Sequence, residues 1–445
     1  MKDSAEERTE AQGLRQQLGE MVRPLLRELD AKLDKRLVAT FFTTLQALVV
    51  HRHNRCGLLL SELGGYILSP SQAPAGTKRL SNLLRSQRWQ ATVIDRFLWR
   101  RAEQTVEALN QAGEVALALW DESVLEKPES LALEGLCPVR SSRAARLKRV
   151  KPGFYTPPSG APIFVPGMQW LSLVVAGFQG VPVLAKLPWW TSRGRFASDR
   201  THELQQVLRQ CAETWGQQVV HVFDRGFAHG KWLGHLLDPH LVFVLRWKTQ
   251  YHLLDAQGKR PAWHMTRGKR SLGHRLIYDA RRRCQRKTGM IFVPVAHPDY
   301  PDVLLTLVVS RPGRGRKPWY LLTNLPITSP DEAWSVIFIY ARRWQIEMTY
   351  RFAKTELAIE SPRLWSWHNR LKLLAMVALV FAFLLSLLAP DKASLRAWLL
   401  RHFCHRTGKR YRAASLPLYR LRLALSRLWL CYPDPIPLPL QLTSG

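Results

Sequence analysis

The chain has 445 residues, of which 46% are hydrophobic, so it can bury a large core and is predicted to form two or three domains. Lysine and arginine total 65 against 34 acidic residues, and the resulting formal charge of +31 favours a polyanionic partner. Nucleic acid and membrane phospholipid are the candidate polyanions, and a basic surface without a partner is the third alternative. Because the N-terminal segment has no apolar stretch typical of a secretory signal, the protein is expected to stay in the cell.

Cysteine spacing argues against a disulfide framework or a zinc ribbon. The six cysteines lie far apart and form no Cys-x-x-Cys pair. Two clusters, His51–Cys56 and His402–His405, each supply at most three ligands at spacings unlike the common zinc modules. Reduced, mostly buried thiols are therefore expected.

The first part of the chain, to about Gln111, is predicted to be helical because its apolar residues recur at helical spacing. Within it, the segment Thr77–Trp89 places leucines on one face of a helix and basic residues on the other. This pattern is typical of a helix that lies along a DNA groove, and equally of an ordinary helix with a solvated basic face. The basic candidates for DNA binding are Lys78, Arg79 and Arg85.

After Gly113 the pattern changes to short apolar runs separated by one helical stretch, which predicts a mixed α/β domain. The predicted strands are Val115–Trp120, Gln169–Phe178, Val181–Leu187 and Gln218–Phe223, with a helix near Glu203–Cys211. The polar, basic segment Pro138–Gly160 is predicted to be a mobile loop. A second group of strands from Leu241 to Leu325 predicts an inserted β-rich subdomain.

Two later segments are distinctive in composition. Leu373–Ala389 contains one polar residue, so it fits a short membrane span or a helix buried on all sides; its length and charged surroundings favour the buried helix. The basic tail from Arg401, which becomes proline-rich at Pro433, is predicted to be extended or weakly ordered.

Three acids stand out by position: Asp121 and Asp224 follow predicted strands, and Glu347 lies in a predicted helix. Carboxylates are the ligands that a two-metal phosphodiester site needs. Each acid also has a simpler explanation, since the aspartates could cap turns and Glu347 could pair with Arg343.

The helix that contains Glu347 carries a second clue. Three residues follow Tyr340 at distances of 3, 7 and 14 residues: Arg343, Glu347 and Lys354. At about 100° per residue in a helix, the four side chains lie within an arc of about 60°. An acid between two cations and a phenol suits a phosphodiester and fits poorly in an apolar core.

This arrangement resembles the YREK signature of bacterial insertion-sequence transposases of the IS-four type, in the RNase H-like superfamily. All four positions match. Phe223–Phe227 is similar to the family's second-aspartate block, and Leu119–Ser123 occupies the place of the first. The spacings of Arg246 from Asp224 and of Trp319 from Tyr340 are also similar to those of the family.

The resemblance implies roles for individual residues. The metal-binding catalytic acids would be Asp121, Asp224 and Glu347, with Mg²⁺ as the ion and Mn²⁺ as a substitute. Contacts to the DNA backbone would come from Arg246, Tyr340, Arg343 and Lys354. Trp319 would stack on a flipped base, although packing in the core of the β-rich region is the simpler role for a tryptophan there.

The expected architecture is α/β: an RNase H-like core with a β-rich insertion, preceded by an all-helical DNA-binding domain. The expected boundaries are residues 1–112 for the helical domain, 113–245 and 327–400 for the core, 246–326 for the insertion and 401–445 for the basic C-terminal region. The expected function is cut-and-paste transposition by a cytoplasmic, nucleoid-associated enzyme without membrane association. It would act as a homodimer on double-stranded DNA, at terminal inverted repeats and at the target. The alternative is a domesticated DNA-binding protein or nuclease.

Overall fold

The computed structural model describes the backbone of residues 4–51, 58–130, 132–141, 162–279, 284–313, 317–355, 357–359, 361–404 and 418–433. The side chains of residues 4, 278, 279, 284, 344–355, 418 and 419 lie outside this description. Most of the predicted basic loop, much of both histidine and cysteine clusters, and the side chains of Glu347 and Lys354 fall outside it.

Helices predominate among the described residues before 112 and after 329, and three further helices lie between strands. They are α1 (Ser4–Asp30), α2 (Lys35–Val50), α3 (Leu60–Ile67), α4 (Ala73–Arg85), α5 (Thr92–Gln111), α6 (Arg200–Thr214), α7 (Gly230–Leu237), α8 (Ala262–Met265), α9 (Pro330–Thr355), α10 (Trp367–Ser386), α11 (Ala393–Phe403) and α12 (Leu418–Cys431). The prediction of helices up to Gln111 is confirmed. Helix α2 shows the local cause, because the Asp34 carboxylate accepts a hydrogen bond from the free backbone N–H of Leu37 at 2.9 Å.

The C-terminal region contains the clearest difference from the prediction. An extended or weakly ordered tail was expected, but α12 is a helix whose apolar side chains are buried against α2 and α11. Leu421, Leu425 and Leu428 recur at spacings of four and three residues, which is helical periodicity within a basic segment. The high density of arginine conceals this apolar stripe, and the structure corrects the prediction for these residues.

Helix α10 contains most of the apolar segment. It is the described helix that is long and apolar enough to cross a membrane, and 83% of its most apolar stretch is buried within the protein. It packs against α2, α4, α5 and α12 and against strand β4. The prediction of a helix buried on all sides is therefore confirmed, because neighbouring helices cover its whole circumference.

The strands form one mixed sheet. They are β1 (Ala116–Glu126), β2 (Cys137–Arg140), β3 (Phe164–Ala176), β4 (Val183–Lys186), β5 (Trp189–Trp190), β6 (Val219–Phe223), β7 (Val242–Arg246), β8 (His252–Asp255), β9 (Gly258–Pro261), β10 (Gly273–Asp279), β11 (Cys284–His297), β12 (Tyr300–Arg311) and β13 (Trp319–Thr323). Their order is β2-β3-β1-β6-β7-β13-β12-β11-β8-β9, with β4 and β5 on β3 and β10 on β11. The strands of the predicted β-rich region thus continue the same sheet through the β7–β13 pair.

Both faces of the central strands are buried. Along β1, Leu117 and Leu119 belong to the core that includes α9 and α10, whereas Ala118 and Trp120 belong to the core that includes α6 and α7. This alternation follows from the two-residue period of a strand. Strands β1, β6 and β7 run parallel, while β3 runs antiparallel to β1.

Candidate active site

The two predicted catalytic aspartates lie at the same end of the pairing between β1 and β6, Asp121 within β1 and Asp224 directly after β6. In the parallel pair β1–β6, Leu119 is the register partner of Val222. Asp121 and Asp224 each lie two residues further along, so the strand period places both on the same face as these partners. Paired strands are separated by about 4.8 Å, so both aspartates extend from the same end of the parallel pairing.

The strand that carries Asp121 is longer than predicted. A strand ending at Trp120 was expected, but β1 continues to Glu126 because its other edge stays paired with β3. The parallel pairing with β6 nevertheless ends at Leu119. Asp121 therefore sits where one neighbouring strand has departed and the other remains, which opens a space beside a rigid backbone.

Helix α9 contributes a cation to the first aspartate. Nη1 of Arg343 lies 3.3 Å from Oδ1 of Asp121, and the Arg343 side chain is almost fully buried. Glu347 lies one turn further along the same helix, in the direction expected for the third acid. Of the predicted helix face, Arg343 thus contacts the first predicted aspartate.

Asp224 also performs the simpler structural role considered for it. Its Oδ1 accepts a hydrogen bond from the backbone N–H of Gly226 at 2.6 Å and caps the short 3₁₀ turn Arg225–Phe227. The two roles are compatible, because a carboxylate has two oxygens with several acceptor sites. The cap holds the side chain in place while leaving acceptor capacity for a ligand.

Tyr340 is the centre of a cluster of predicted site residues. Its ring lies 5.1 Å from that of Trp319, edge to face, and the guanidinium carbons of Arg343 and Arg246 lie 5.6 and 5.9 Å from its centroid. These contacts are typical of aromatic and cation–π pairs. The structure therefore brings Trp319 of β13 and Arg246 of β7 together with Tyr340 and Arg343 of α9, while their roles toward DNA stay predictions.

The burial of this cluster changes how its members can act. Tyr340 is fully buried and its hydroxyl has no hydrogen-bond partner among the described residues, while Trp319 and Arg246 are half-buried. In this structure Tyr340 therefore packs beneath the two arginines and supports them. A direct contact between Tyr340 and DNA would require the cluster to open.

The basic helix α4 has the predicted two faces. Leu80, Leu83 and Leu84 are buried, whereas Lys78, Arg79 and Arg85 are exposed. Sequence reasoning missed what holds this helix in place: Nζ of Lys372, on α10, donates hydrogen bonds to the carbonyl oxygens of Leu84 and Ser86 at 3.0 and 2.6 Å. A lysine at a helix C-terminus satisfies carbonyls that have no partner within the helix.

A second missed feature joins the segments that carry the aspartates. Arg200, the first residue of α6, donates from Nε and Nη2 to the two carboxylate oxygens of Glu122 at 2.7 and 2.5 Å. Its guanidinium also lies 5.4 Å from the ring of Phe227. Glu122 follows Asp121 and Phe227 ends the turn after Asp224, so Arg200 connects both segments. The only sequence signal was an acid next to Asp121, with nothing to indicate its partner.

Electrostatics around Glu122 depend on this arginine. Burial raises the pKa of Glu122, and the negative charge of Asp224 adds to the rise, while Arg200 opposes it. A bidentate arginine is the strongest of the common ion-pair geometries. Arg200 therefore opposes the rise in the pKa of Glu122 and holds this carboxylate next to Asp121.

We expect loss of this pair to disturb the site without removing a catalytic group. Arg200→Ala should slow DNA cleavage by about 10- to 100-fold, because small displacements of reacting groups are costly. Arg200→Lys should recover part of the rate and shift its dependence on metal concentration. The matched control is Arg209→Ala, an exposed arginine of the same helix, and equal rates for Arg200→Ala and Arg209→Ala would contradict the expectation.

The described carboxylates of the predicted metal site fit a hard divalent cation. Asp121 and Asp224 supply carboxylate oxygens from neighbouring positions, and such oxygens are the preferred ligands of Mg²⁺. Among the side chains that the structure describes, no group of three acidic, histidine or cysteine ligands surrounds one point. The third predicted ligand, Glu347, has its side chain outside that part.

Comparison with known proteins supports a transposase of the DDE type. Residues 196–383 match the family described as the transposase DDE domain, a stretch that includes Asp224 and Glu347 and begins after Asp121. No curated protein matches the chain. Among solved structures, a similar chain is that of the piggyBac transposase in a synaptic complex with hairpin DNA. It is 14% identical, covers 94% of this chain and 79% of its own, and has a TM-score of 0.42.

Proposed function

We propose that this protein is a cut-and-paste transposase that cleaves DNA at the ends of an insertion sequence and joins them to target DNA. The observation that carries the proposal is that Asp121 and Asp224 both lie two residues beyond the last register pair of β1 and β6, and that Arg343 of α9, the helix that bears Glu347, pairs with Asp121. The match of residues 196–383 to the transposase DDE domain supports it independently.

The proposed core is RNase H-like. Its support is the arrangement of an antiparallel strand β3, a central strand β1 and two further parallel strands β6 and β7, with helices α6 and α7 in the connections. The specific relationship to the IS-four type rests on the sequence signature of α9. The helical region that presents Lys78, Arg79 and Arg85 is proposed as the part that binds the transposon end.

The proposed reaction has two phosphoryl-transfer steps. Water adds to the phosphorus at the transposon end as the bond to the 3′ oxygen breaks. The freed 3′ hydroxyl then attacks a target phosphodiester in line, forming a new phosphodiester as the bond from that phosphorus to the target's own 3′ oxygen breaks and this oxygen leaves as a 3′ hydroxyl. A bound Mg²⁺ pair would lower the pKa of the attacking oxygen and stabilise the leaving oxygen. Asp121, Asp224 and Glu347 would hold these ions, with Mn²⁺ as a substitute.

The chain's cations have separate parts in this scheme. Arg343 neutralises Asp121 in the structure described, and we propose that Arg246, Lys354 and Arg343 bind phosphate oxygens once DNA is present. Trp319 is proposed to receive a flipped base. Because two ends must be processed together, the active form is proposed to be a homodimer on double-stranded DNA, in the cytoplasm and associated with the nucleoid.

The proposal is tested with purified protein and linear DNA that carries the ends of the element encoding it. Incubation with Mg²⁺ or Mn²⁺ should produce cuts that leave 3′ hydroxyls at those ends, and omission of the cation should abolish them. Specific binding should weaken steeply with salt, because phosphate contacts release counterions. Specific binding without any cutting would favour the domesticated DNA-binding alternative, and cutting without joining would favour a nuclease.

A further inference from the structure

One tryptophan is exposed in a way that packing does not explain. Trp365, just before helix α10, has a relative exposure of 61%. Its backbone is nevertheless held, because its carbonyl oxygen accepts a hydrogen bond from the N–H of Glu134 at 3.1 Å. Trp365 thus presents a large aromatic face to solvent from a backbone that is hydrogen-bonded in place, and such a face is available for stacking.

The hydrogen bonds that hold the Trp365 backbone belong to a larger set of contacts around Glu134. The carboxylate of Glu134 accepts hydrogen bonds from the backbone N–H of Trp367 at 2.8 Å and from Nη2 of Arg195 at 2.6 Å. Phe196 stacks on the ring of Trp367 with centroids 5.5 Å apart. Glu134 thus bonds to both Trp365 and Arg195, which fixes the backbone of Trp365 relative to this cation.

The surroundings of Trp365 are basic. Arg193, Arg195, Arg363 and His368 are exposed on the two segments that Glu134 joins. In the part of the chain that the structure describes, Arg195 pairs with Glu134, whereas Arg193 and Arg363 make no ion pair. Uncompensated arginines beside an aromatic ring form the combination that binds single-stranded nucleic acid by backbone attraction and base stacking.

This basic aromatic patch lies near the catalytic aspartates. Arg195 is five residues before Arg200, so the chain between them spans at most about 17 Å. Arg200 binds Glu122, the neighbour of Asp121. A DNA strand held at the aspartates is therefore within reach of the patch.

We propose that Trp365, with Arg193 and Arg363, forms a stacking site for an unpaired base of the DNA strand that enters or leaves the active site. The proposal rests on the proposed function and adds a site distinct from Trp319, whose ring is engaged by Tyr340. Its ligand is an exposed base with its flanking phosphates, and its recognition is independent of base identity because every base has a stackable face.

The test compares a 30-base-pair duplex with the same duplex carrying a six-nucleotide single-stranded extension that contains one 2-aminopurine. The extension should increase the affinity of the wild-type protein, and 2-aminopurine fluorescence should be quenched on binding. Trp365→Ala should lower the affinity for the extended DNA about tenfold and abolish the fluorescence quenching. Its affinity for the blunt duplex should change little. Trp365→Phe should retain part of both effects.

Matched controls separate stacking from general effects. Leu304→Ala removes another highly exposed apolar side chain and should leave both affinities unchanged. Arg363→Gln should weaken binding of the extended DNA and lower its salt dependence. Equal affinity and equal quenching for wild type and Trp365→Ala would overturn the stacking site, as would loss of protein self-association in Trp365→Ala without a change in DNA binding. Failure of the proposed function would look different, because the wild-type protein would then fail to cut the element's ends.

Discussion

Replacing Asp224 with alanine is expected to reduce the rate of DNA cleavage by about a thousandfold or more, while specific DNA binding is retained. The physical reason is loss of a metal-binding carboxylate, since charge stabilisation by a bound cation contributes several kcal/mol and each 1.36 kcal/mol is tenfold in rate. The measurement is single-turnover cleavage of end-bearing DNA in Mg²⁺, with binding measured in Ca²⁺.

Asp224 also caps a turn, so alanine could act through local structure. Asp224→Asn addresses this, because an asparagine side chain can accept the hydrogen bond from Gly226 but carries no charge. It should be as inactive as alanine, and Glu347→Ala should behave in the same way. The control is Asp238→Ala, an exposed aspartate at the end of α7, which should cut at the wild-type rate. Cleavage by Asp224→Asn at more than about a tenth of that rate would contradict the assignment.

Replacing Lys372 with alanine is expected to lower the free energy of unfolding by about 3 kcal/mol, because it removes two hydrogen bonds from a charged donor and opens a cavity. The ammonium group lies 5.1 Å from the centroid of the Trp89 ring and binds the carbonyls that end α4. Its loss should also weaken DNA binding, because the basic face of α4 would no longer be held. Chemical denaturation and DNA titration measure the two effects.

The pH dependence identifies the contribution of the charge. Burial lowers the pKa of Lys372 to about 8, from an ordinary value of 10.5. Below pH 8 the Lys372 amine is protonated in both the folded and the unfolded chain. The free-energy cost of burying its charge then fully reduces the stability of the fold. Between pH 8 and 10.5 the unfolded chain binds more protons than the folded one, so this lysine makes stability rise with pH.

Lysine variants isolate this pH effect. Lys372→Met should lose the rise in stability between pH 8 and 10.5 while losing less stability than alanine at pH 7, because it keeps most of the side-chain volume. Lys35→Ala, at an exposed lysine of α2, should leave both the stability and its pH profile close to wild type. A rise with pH in Lys372→Met equal to that of wild type would contradict the role of this lysine.

Several features were predictable because they depend on short-range periodicity. The helical spacing of Tyr340, Arg343 and Glu347 requires only the geometry of one helix, and that helix does face the aspartates. Likewise, two acids that each come after a short apolar run are expected at one edge of a sheet when those runs pair as parallel strands. The continuous apolar sequence of α10 was sufficient to predict that the helix is buried.

Other features could not be read from local pattern. Arginine dominates the composition around α12, and its stripe of three leucines becomes meaningful only when α2 and α11 are present to cover it. The different exposure of Trp365 and Trp319 is also invisible in sequence, because both are tryptophans near basic residues. Trp319 lies against Tyr340 of α9, whereas the backbone of Trp365 is bonded to Glu134, more than two hundred residues earlier in the chain.

By itself the sequence determined the types of element, the three candidate carboxylates and the basic character of the surface, because these follow from residue chemistry and helical or strand period. The tertiary structure alone decided that Tyr340 supports Arg246 and Arg343 from beneath, that Arg200 joins the two aspartate segments through Glu122, and that Lys372 holds α4. Each of these depends on a contact between segments that only chain folding brings together. A side chain's burial and partners are set by such contacts, and residue type constrains them only loosely.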